Sequence, residues 1–116
     1  MRIRTEIFVS ALNRRVFAQG GFAAVEHKGA DSSGAIFIRQ RFRDGSESLF
    51  APAPQSFFDE GDSDGRLFER LLDRAAPGEV AERLQRELKF DPDLWIVEFE
   101  LDEIGDLLPI AVPDGE

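Results

Sequence analysis

The residues of this chain that could do chemistry are concentrated in one stretch, from Phe90 to Glu100. This stretch holds the only tryptophan, Trp95, and four carboxylates, which belong to Asp91, Asp93, Glu98 and Glu100. Carboxylates that converge can bind a divalent cation for phosphoester hydrolysis, and Arg15 or Arg39 could then steady the phosphate. A metal-dependent phosphoesterase is therefore one hypothesis for the chain.

The strand predicted from Leu94 onward argues against this convergence. Its alternation places Glu98 and Glu100 on one face, whereas Asp93 falls on the opposite face together with Trp95. We interpret the Trp95 face as core. The other face begins apolar and ends acidic, so we expect one end of it to be covered and the other end to be open.

The same carboxylates have a simpler structural interpretation. If the last strand neighbours the second, Glu98 and Glu100 lie across from basic residues of that strand and form cross-strand ion pairs. The basic residues are Arg39, Arg41 and Arg43. Asp91 and Asp93 would then cap the turn around Pro92 by accepting hydrogen bonds from the backbone.

Arg15 is the most unusual basic residue of the first predicted helix, which runs from Thr5 or Glu6 to Gln19. At about 100° per residue, it projects from the middle of the apolar arc of that helix. An unpaired guanidinium against a core is unfavourable, so Arg15 should reach water or meet a carboxylate. We expect Glu98 or Asp93 to be its partner, and a ligand-anchoring role is the alternative.

Other kinds of site are not supported by the sequence. The chain has no cysteine and one histidine, His27, and no serine stands in a nucleophile-elbow motif. Glu60, Asp62 and Asp64 resemble the start of a calcium loop, but Leu71 stands where the loop needs a bidentate acid. We interpret them as a solvated acidic loop and expect no metal and no cofactor.

Composition predicts one soluble globular domain, residues 1–116, because 42% of the residues are hydrophobic and 32% are charged. No segment has the apolar length of a signal peptide or a membrane span, so we expect a cytoplasmic protein without a membrane partner.

The net charge of −9 is distributed unevenly. Residues 1–43 hold eight Lys or Arg against three Asp or Glu, whereas residues 44–116 hold six against twenty. The basic part could contact nucleic acid weakly through Arg39, Arg41 and Arg43. Mutual neutralisation of the two parts is the simpler interpretation, which makes nucleic acid the least favoured partner.

Hydrophobic periodicity and turn residues predict the elements of the first half. Gly20-Gly21 ends the first helix. Strands are predicted at Phe22 to Lys28 and at Gly34 to Arg43, joined as a hairpin by the glycine- and serine-rich residues between them. An Asp44-Gly45 turn then leads into a third strand at about Glu47 to Ala51.

In the second half, residues 66–74 fit a strand or a short helix, and we favour a strand that pairs with the third. A helix from Pro77 to about Lys89 follows. The predicted fold is α+β in the order α-β-β-β-β-α-β. An antiparallel sheet of four to five strands packs one face against the two helices, and the last few residues are expected to be disordered.

Several short motifs, spread over the whole length, carry a resemblance to a known family. They are Arg15 with Gly20-Gly21-Phe22-Ala23, Lys28-Gly29, Gly34-Ala35 and Phe90-Asp91-Pro92-Asp93-Leu94-Trp95-Ile96-Val97-Glu98. With these motifs the chain resembles an alphaproteobacterial family known as domain of unknown function 1491. The resemblance implies a cytoplasmic bacterial protein and brings no known activity with it.

The leading hypothesis is a small non-enzymatic binding or assembly module. Its partner would be another protein or a second copy, met through an edge strand or the acidic tail. The metal-dependent phosphoesterase is the alternative, and the nucleic-acid contact is third. The candidate binding residues are Arg15, Arg39, Arg41, Asp91, Asp93, Trp95, Glu98 and Glu100.

Overall fold

The computed structural model describes residues 3–54 and 66–111, which form two helices and a five-stranded sheet. The helices are α1 (Thr5–Ala18) and α2 (Pro77–Phe90). The strands are β1 (Phe22–His27), β2 (Ile36–Arg41), β3 (Glu47–Pro52), β4 (Phe68–Ala75) and β5 (Trp95–Glu100). The α+β class and the order α-β-β-β-β-α-β are as predicted, and the ambiguous residues after 66 form a strand that pairs with β3.

Two groups of predictions fall outside the described residues. The acidic loop with Glu60, Asp62 and Asp64 is one, and the last few residues of the chain are the other. Within the described residues, neither helix is long and apolar enough to cross a membrane.

The strand order in the sheet is β1-β5-β2-β3-β4, so β5 lies between β1 and β2. The predicted β1–β2 hairpin is therefore wrong. β1 pairs with β5 in antiparallel fashion, but β5 runs parallel to β2, so one pair departs from the predicted antiparallel sheet. The reason is that β5 reaches the sheet through α2, a crossover long enough to bring it back parallel to β2.

The segment between β1 and β2 arches over the start of β5 instead of making a tight turn. The indole Nε1–H of Trp95 donates to the carbonyl of Ala30 at 2.8 Å, and the amide of Ala30 donates to the carbonyl of Asp93 at 2.8 Å. The arch lies so close to β5 that a Cβ on Gly29 would overlap the carbonyl oxygen of Asp93. A Cβ on Gly34 would lie 2.6 Å from the same oxygen.

α1 covers one face of the sheet. It buries Val9, Leu12 and Val16 against the Trp95 face of β5, as the alternation of β5 predicted. The helix ends in a Schellman motif, in which Gly20 has a φ of 85° and the amide of Gly21 donates to the carbonyl of Val16 at 3.0 Å. This motif turns the chain back at once, so β1 runs antiparallel to α1.

α2 covers the opposite face, so the prediction that both helices pack on one face is wrong. Its Val80 and Leu84 pack against Phe37, Leu94 and Ile96. Those three residues make the start of β2 and β5 apolar on both sides, and each side therefore needs its own cover. The charged ends of the two strands lie beyond this apolar patch.

We expect Gly29→Ala to lower the free energy of unfolding by about 1–3 kcal/mol, because the added methyl overpacks the arch against backbone atoms. Gly78→Ala is the matched control, since nothing lies within 4 Å of a Cβ at that helical position. It should leave stability unchanged or raise it by up to about 1 kcal/mol. Urea denaturation of both variants measures the difference, and equal stabilities would contradict the close approach.

Candidate functional site

A network of five charged side chains crosses four neighbouring strands on the α2 side of the sheet, beyond the patch that α2 covers. Its centre is Glu47 of β3, whose side chain is only 2% exposed. Glu47 Oε1 accepts from Arg39 Nε at 2.6 Å, and its Oε2 lies 3.2 Å from Arg41 Nε. One buried carboxylate is thereby held by two guanidinium groups of β2.

Each arginine has a second carboxylate partner on the other side of β2. Arg39 Nη1 lies 3.2 Å from Glu26 of β1, and Arg41 Nη1 lies 3.2 Å from Glu98 of β5. The Arg41–Glu98 pair is the cross-strand ion pair predicted for this face, and the prediction is confirmed. The network joins two cations of the basic first part of the chain to Glu47 and Glu98 of the acidic second part and to Glu26 of the first part itself.

The environment of Arg39 keeps its guanidinium charged. Desolvation by burial lowers the pKa of Arg39, but the hydrogen bond to Glu47 and the negative charges of Glu26 and Glu47 raise it, and the net pKa lies above the ordinary value. Arg39 is therefore a permanent cation whose hydrogen bonds are directed to carboxylates of its own sheet.

The four carboxylates between Phe90 and Glu100 lie in two separate places. Asp91 Oδ1 accepts from the amide of Asp93 at 3.1 Å, so Asp91 caps the turn before β5 as predicted. Asp93 precedes Glu98 by five residues, which is about 16 Å of extended chain. Among the described residues, no three His, Cys, Asp or Glu residues are grouped so that they could hold a metal ion.

Trp95 and His27 both have structural partners near the arch. Trp95 is buried in the α1-side core, with its indole N–H on Ala30. His27 Nδ1 lies 2.9 Å from the carbonyl of Leu94, which requires a proton on Nδ1 for a hydrogen bond. Trp95 therefore ties the arch to the start of β5, and His27 ties the end of β1 to the same place.

Glu100 borders an open concavity of about 890 Å³ at the carboxyl ends of β2 and β5. The lining of this concavity includes Arg41 and Arg43 together with three carboxylates, those of Glu100, Asp102 and Glu103. Charges of both signs line it, so it offers neither a phosphate nor a cation a field of a single sign.

Arg15 is paired, but the predicted partner is wrong. Its Nη2 lies 3.9 Å from Asp106 Oδ1 and donates to the carbonyl of Asp106 at 3.2 Å. Glu98 is out of reach because it projects from the face opposite α1. Asp93 is out of reach because it lies near the start of α1, about 15 Å of helix away.

The packing face of α1 also differs from the predicted arc. The buried residues are Thr5, Val9, Leu12 and Val16, so the face is rotated and Arg15 stands at its margin, half-exposed. The rotation arises because Thr5 is anchored at the arch, where its hydroxyl donates to the carbonyl of Gly34 at 3.0 Å.

Sequence reasoning missed Glu47 and Glu26 as partners of the arginines. For Glu47 a signal was available in Gly45: a three-residue loop, residues 43–45, with glycine at its last, left-handed position places residue 47 opposite Arg41, which is the register observed, and Gly45 has a φ of 91°. For Glu26 there was none, because its approach to Arg39 depends on the insertion of β5 and on the irregularity of β1 between Val25 and His27.

The outer edge of β1 is the second notable feature of the surface. Within the described residues, β1 pairs with β5 on one side and with no strand on the other. Three apolar side chains accompany this edge: Phe17 of α1, 53% exposed, and Phe22 and Val25 of β1, 46% and 42% exposed. The rings of Phe17 and Phe22 are in edge-to-face contact, with centroids 5.8 Å apart.

The sequence matches a family described as "Protein of unknown function (DUF1491)" over residues 3–109. The chain belongs to the DUF1491 family. This membership confirms the resemblance that the short motifs suggested.

Solved structures of DUF1491 relatives have the same fold. The solution structure of protein Atu0922 from A. tumefaciens is 57% identical, with a TM-score of 0.85, and the match covers 97% of this chain and 98% of that one. A crystal structure of a DUF1491 family protein from Caulobacter crescentus CB15 is 28% identical, with a TM-score of 0.77 and coverage of 97% and 100%. An NMR structure from the same organism is 30% identical, with a TM-score of 0.76 and coverage of 97% and 99%.

No significant match to a curated protein was found. The DUF1491 family and its structures name no activity, so function has to be argued from the two surface features, the ion-pair network and the β1 edge.

We expect Glu47→Gln to lower the free energy of unfolding by about 2–4 kcal/mol, because it leaves Arg39 without its closest negative partner in a mostly buried position. Glu87→Gln is the matched control. It breaks the partly exposed pair of Arg83 and Glu87 within one helix, whose atoms are 2.8 Å apart, and should cost less than about 0.5 kcal/mol. Urea denaturation separates the two, and a Glu47 variant as stable as the wild type would contradict a structural role for the network.

Proposed function

We propose that this DUF1491 protein is a small non-enzymatic binding or assembly module that takes up an extended protein segment along the outer edge of β1. The observation that carries the proposal is the open edge itself. An edge strand presents unpaired backbone N–H and C=O groups, and an added strand can pair with them.

The contrast between the two edges of the sheet supports β1 as the binding side. The β4 edge carries charged residues such as Arg70, Asp73 and Arg74. It is also covered at its start by the chain near Ile110, since the amide of Ala111 donates to the carbonyl of Phe68 at 2.7 Å. β1 has neither lysine nor proline, the residues that commonly protect an edge, and instead adjoins exposed phenylalanines.

The placement of the charged residues favours binding over catalysis. Asp91 and Asp93 lie at one end of β5, and Glu98 and Glu100 lie at the other. Arg39 and Arg41, the residues proposed to steady a phosphate or a nucleic acid, are each held between two carboxylates. A phosphate would have to displace those carboxylates before it could use the guanidinium groups.

Millimolar Mg²⁺, Mn²⁺ or Ca²⁺ should leave the melting temperature unchanged, because an ion that binds the native state would raise it. Differential scanning fluorimetry with each chloride measures this, with sodium chloride at matched ionic strength as the control. An increase of several degrees that saturates with one of the divalent ions would contradict the non-enzymatic proposal and favour the phosphoesterase.

We expect Val25→Lys to abolish partner binding, because a lysine on an edge strand obstructs the approach of another strand. Phe90→Lys is the matched control: it also replaces an exposed apolar residue, here 89% exposed, but lies at the end of α2 away from β1. Tagged wild type and both variants are compared in extracts of the cells that produce the protein natively. The bound proteins, including untagged copies of the chain, are then identified.

The wild type and Phe90→Lys should retain the same partner, and Val25→Lys should lose it. If all three proteins bind the same set, the β1 edge is not the binding site. If none of them binds anything and the purified chain also stays monomeric up to about 1 mM, the edge is not a binding site either.

A further inference from the structure

We infer that the segment taken up by β1 is β1 of a second copy of this chain, paired antiparallel about a twofold axis. This inference rests on the proposed function and names its partner. The product is one sheet that continues across two copies, with the α1 helices side by side on the same face.

Exposed apolar surface beyond the strand favours a second copy over an isolated peptide. Phe17 of α1 is more than half exposed and lies about 110° around the helix from its buried residues, on the flank where it contacts Phe22 of β1. A single added strand would pair with β1 but would leave this helix side chain in water. A second copy brings its own α1 and covers it, so it buries apolar surface that a peptide cannot reach.

The lengths of α1 and β1 are compatible with a single twofold axis that relates both elements to their copies. α1 has 14 residues and is about 21 Å long, and β1 has six residues and is about 20 Å long. They lie antiparallel, with Thr5 near the arch that follows β1 and Val16 against Gly21, just before β1. A twofold axis perpendicular to the sheet and beside the middle of β1 therefore also passes beside the middle of α1, and it sets the N-terminal end of one helix against the Phe17 end of the other.

Charge permits copies to meet at β1. The chain carries a net charge of −9, and its acidic excess lies in residues 44–116, so contacts between those parts of two copies are repulsive. The only carboxylate of β1 is Glu26, which is directed to Arg39 of its own sheet. Two β1 strands therefore approach each other without a close pair of like charges.

The buried area indicates a weak dimer. Three side chains about half exposed, those of Phe17, Phe22 and Val25, would contribute roughly 200–300 Å² of apolar surface per copy, given about 150–250 Å² for a whole aromatic side chain. Two such surfaces with the paired strands lie at the low end of the interface size range. We expect a weak dimer whose population rises with protein concentration, as for other small interfaces.

Sedimentation velocity of the purified chain from about 10 µM to 1 mM tests the inference, since occupancy of a weak dimer rises with concentration. The average mass should rise toward that of two chains for the wild type and for Phe90→Lys. It should stay at one chain for Val25→Lys and for Phe17→Ser. The Phe17 change lies on the exposed side of α1 and keeps the test valid if Val25→Lys does not fold, which thermal unfolding reveals.

A mixed sample of isotope-labelled and unlabelled chains allows contacts between copies to be detected, and this arrangement predicts specific ones. Isotope-filtered NMR should show intermolecular contacts between β1 strands and between Phe17 of one copy and the N-terminal half of α1 of the other. A wild type that stays monomeric at 1 mM, or a dimer that persists in Val25→Lys and Phe17→Ser, would overturn the inference. If the chain is monomeric while Val25→Lys still loses a partner from extracts, the binding edge stands and only self-pairing is wrong.

Discussion

The fold depends on the position of β5 between β1 and β2, where it pairs antiparallel with one and parallel with the other. β5 is the last strand in the chain, so β1 and β2 form one sheet only when it is in place. Trp95 fixes the entry of β5, with its ring in the α1-side core and its indole N–H on the arch that joins β1 to β2. The glycines of the arch make room for this contact, because a side chain at Gly29 or Gly34 would collide with the backbone of Asp93.

The insertion of β5 also explains why the α2-side face of the sheet is divided into an apolar zone and a charged zone. Near the arch, β2 and β5 present apolar residues that α2 covers. Farther along, the same strands carry Arg39, Arg41 and Glu98, and the flanking strands supply Glu26 and Glu47. Each cation there lies between two carboxylates, so the sheet can leave this zone without a helix. Two of the charges that suggested a reactive site, Arg39 and Glu98, belong to this network, which holds four strands together.

Ion pairs occupy the charged zone of the α2-side face. Within the described residues, unpaired backbone N–H and C=O groups are therefore found along the outer edge of β1. α1 lies over β1 but does not reach around its outer side, which leaves Phe17, Phe22 and Val25 partly exposed. Residues 109–111 pair with Phe68 and cover the other edge at the start of β4. This asymmetry between the two edges is the basis on which we propose a binding function.

The sequence predicted those features that depend on local patterns. The strand alternation of β5 was enough to predict its core face, its covered start and its charged end, and Gly20-Gly21 was enough to predict the end of α1. Features that depend on distant residues could not be predicted this way. The insertion of β5 and the side chosen by α2 depend on the crossover, and the partner of Arg15 depends on the path of the tail, where Asp106 meets α1.

The same distinction between local patterns and distant contacts applies to the candidate site residues. The Arg41–Glu98 pair followed from the strand pattern once neighbouring strands were assumed, whereas Glu26 met Arg39 only because of tertiary structure. The position of Glu47 opposite Arg41 could have been predicted only by assigning the turn as a three-residue loop that ends at Gly45.

The central claim is that β1 is the binding edge and that a second copy occupies it. Amide hydrogen exchange measured residue by residue at increasing protein concentration tests the claim most directly, because exchange reports local opening and pairing. The account predicts that the outward-facing amides of β1 exchange more slowly as the concentration rises toward 1 mM, while those of β4 do not change. Exchange rates in β1 that are independent of concentration over that range would contradict it.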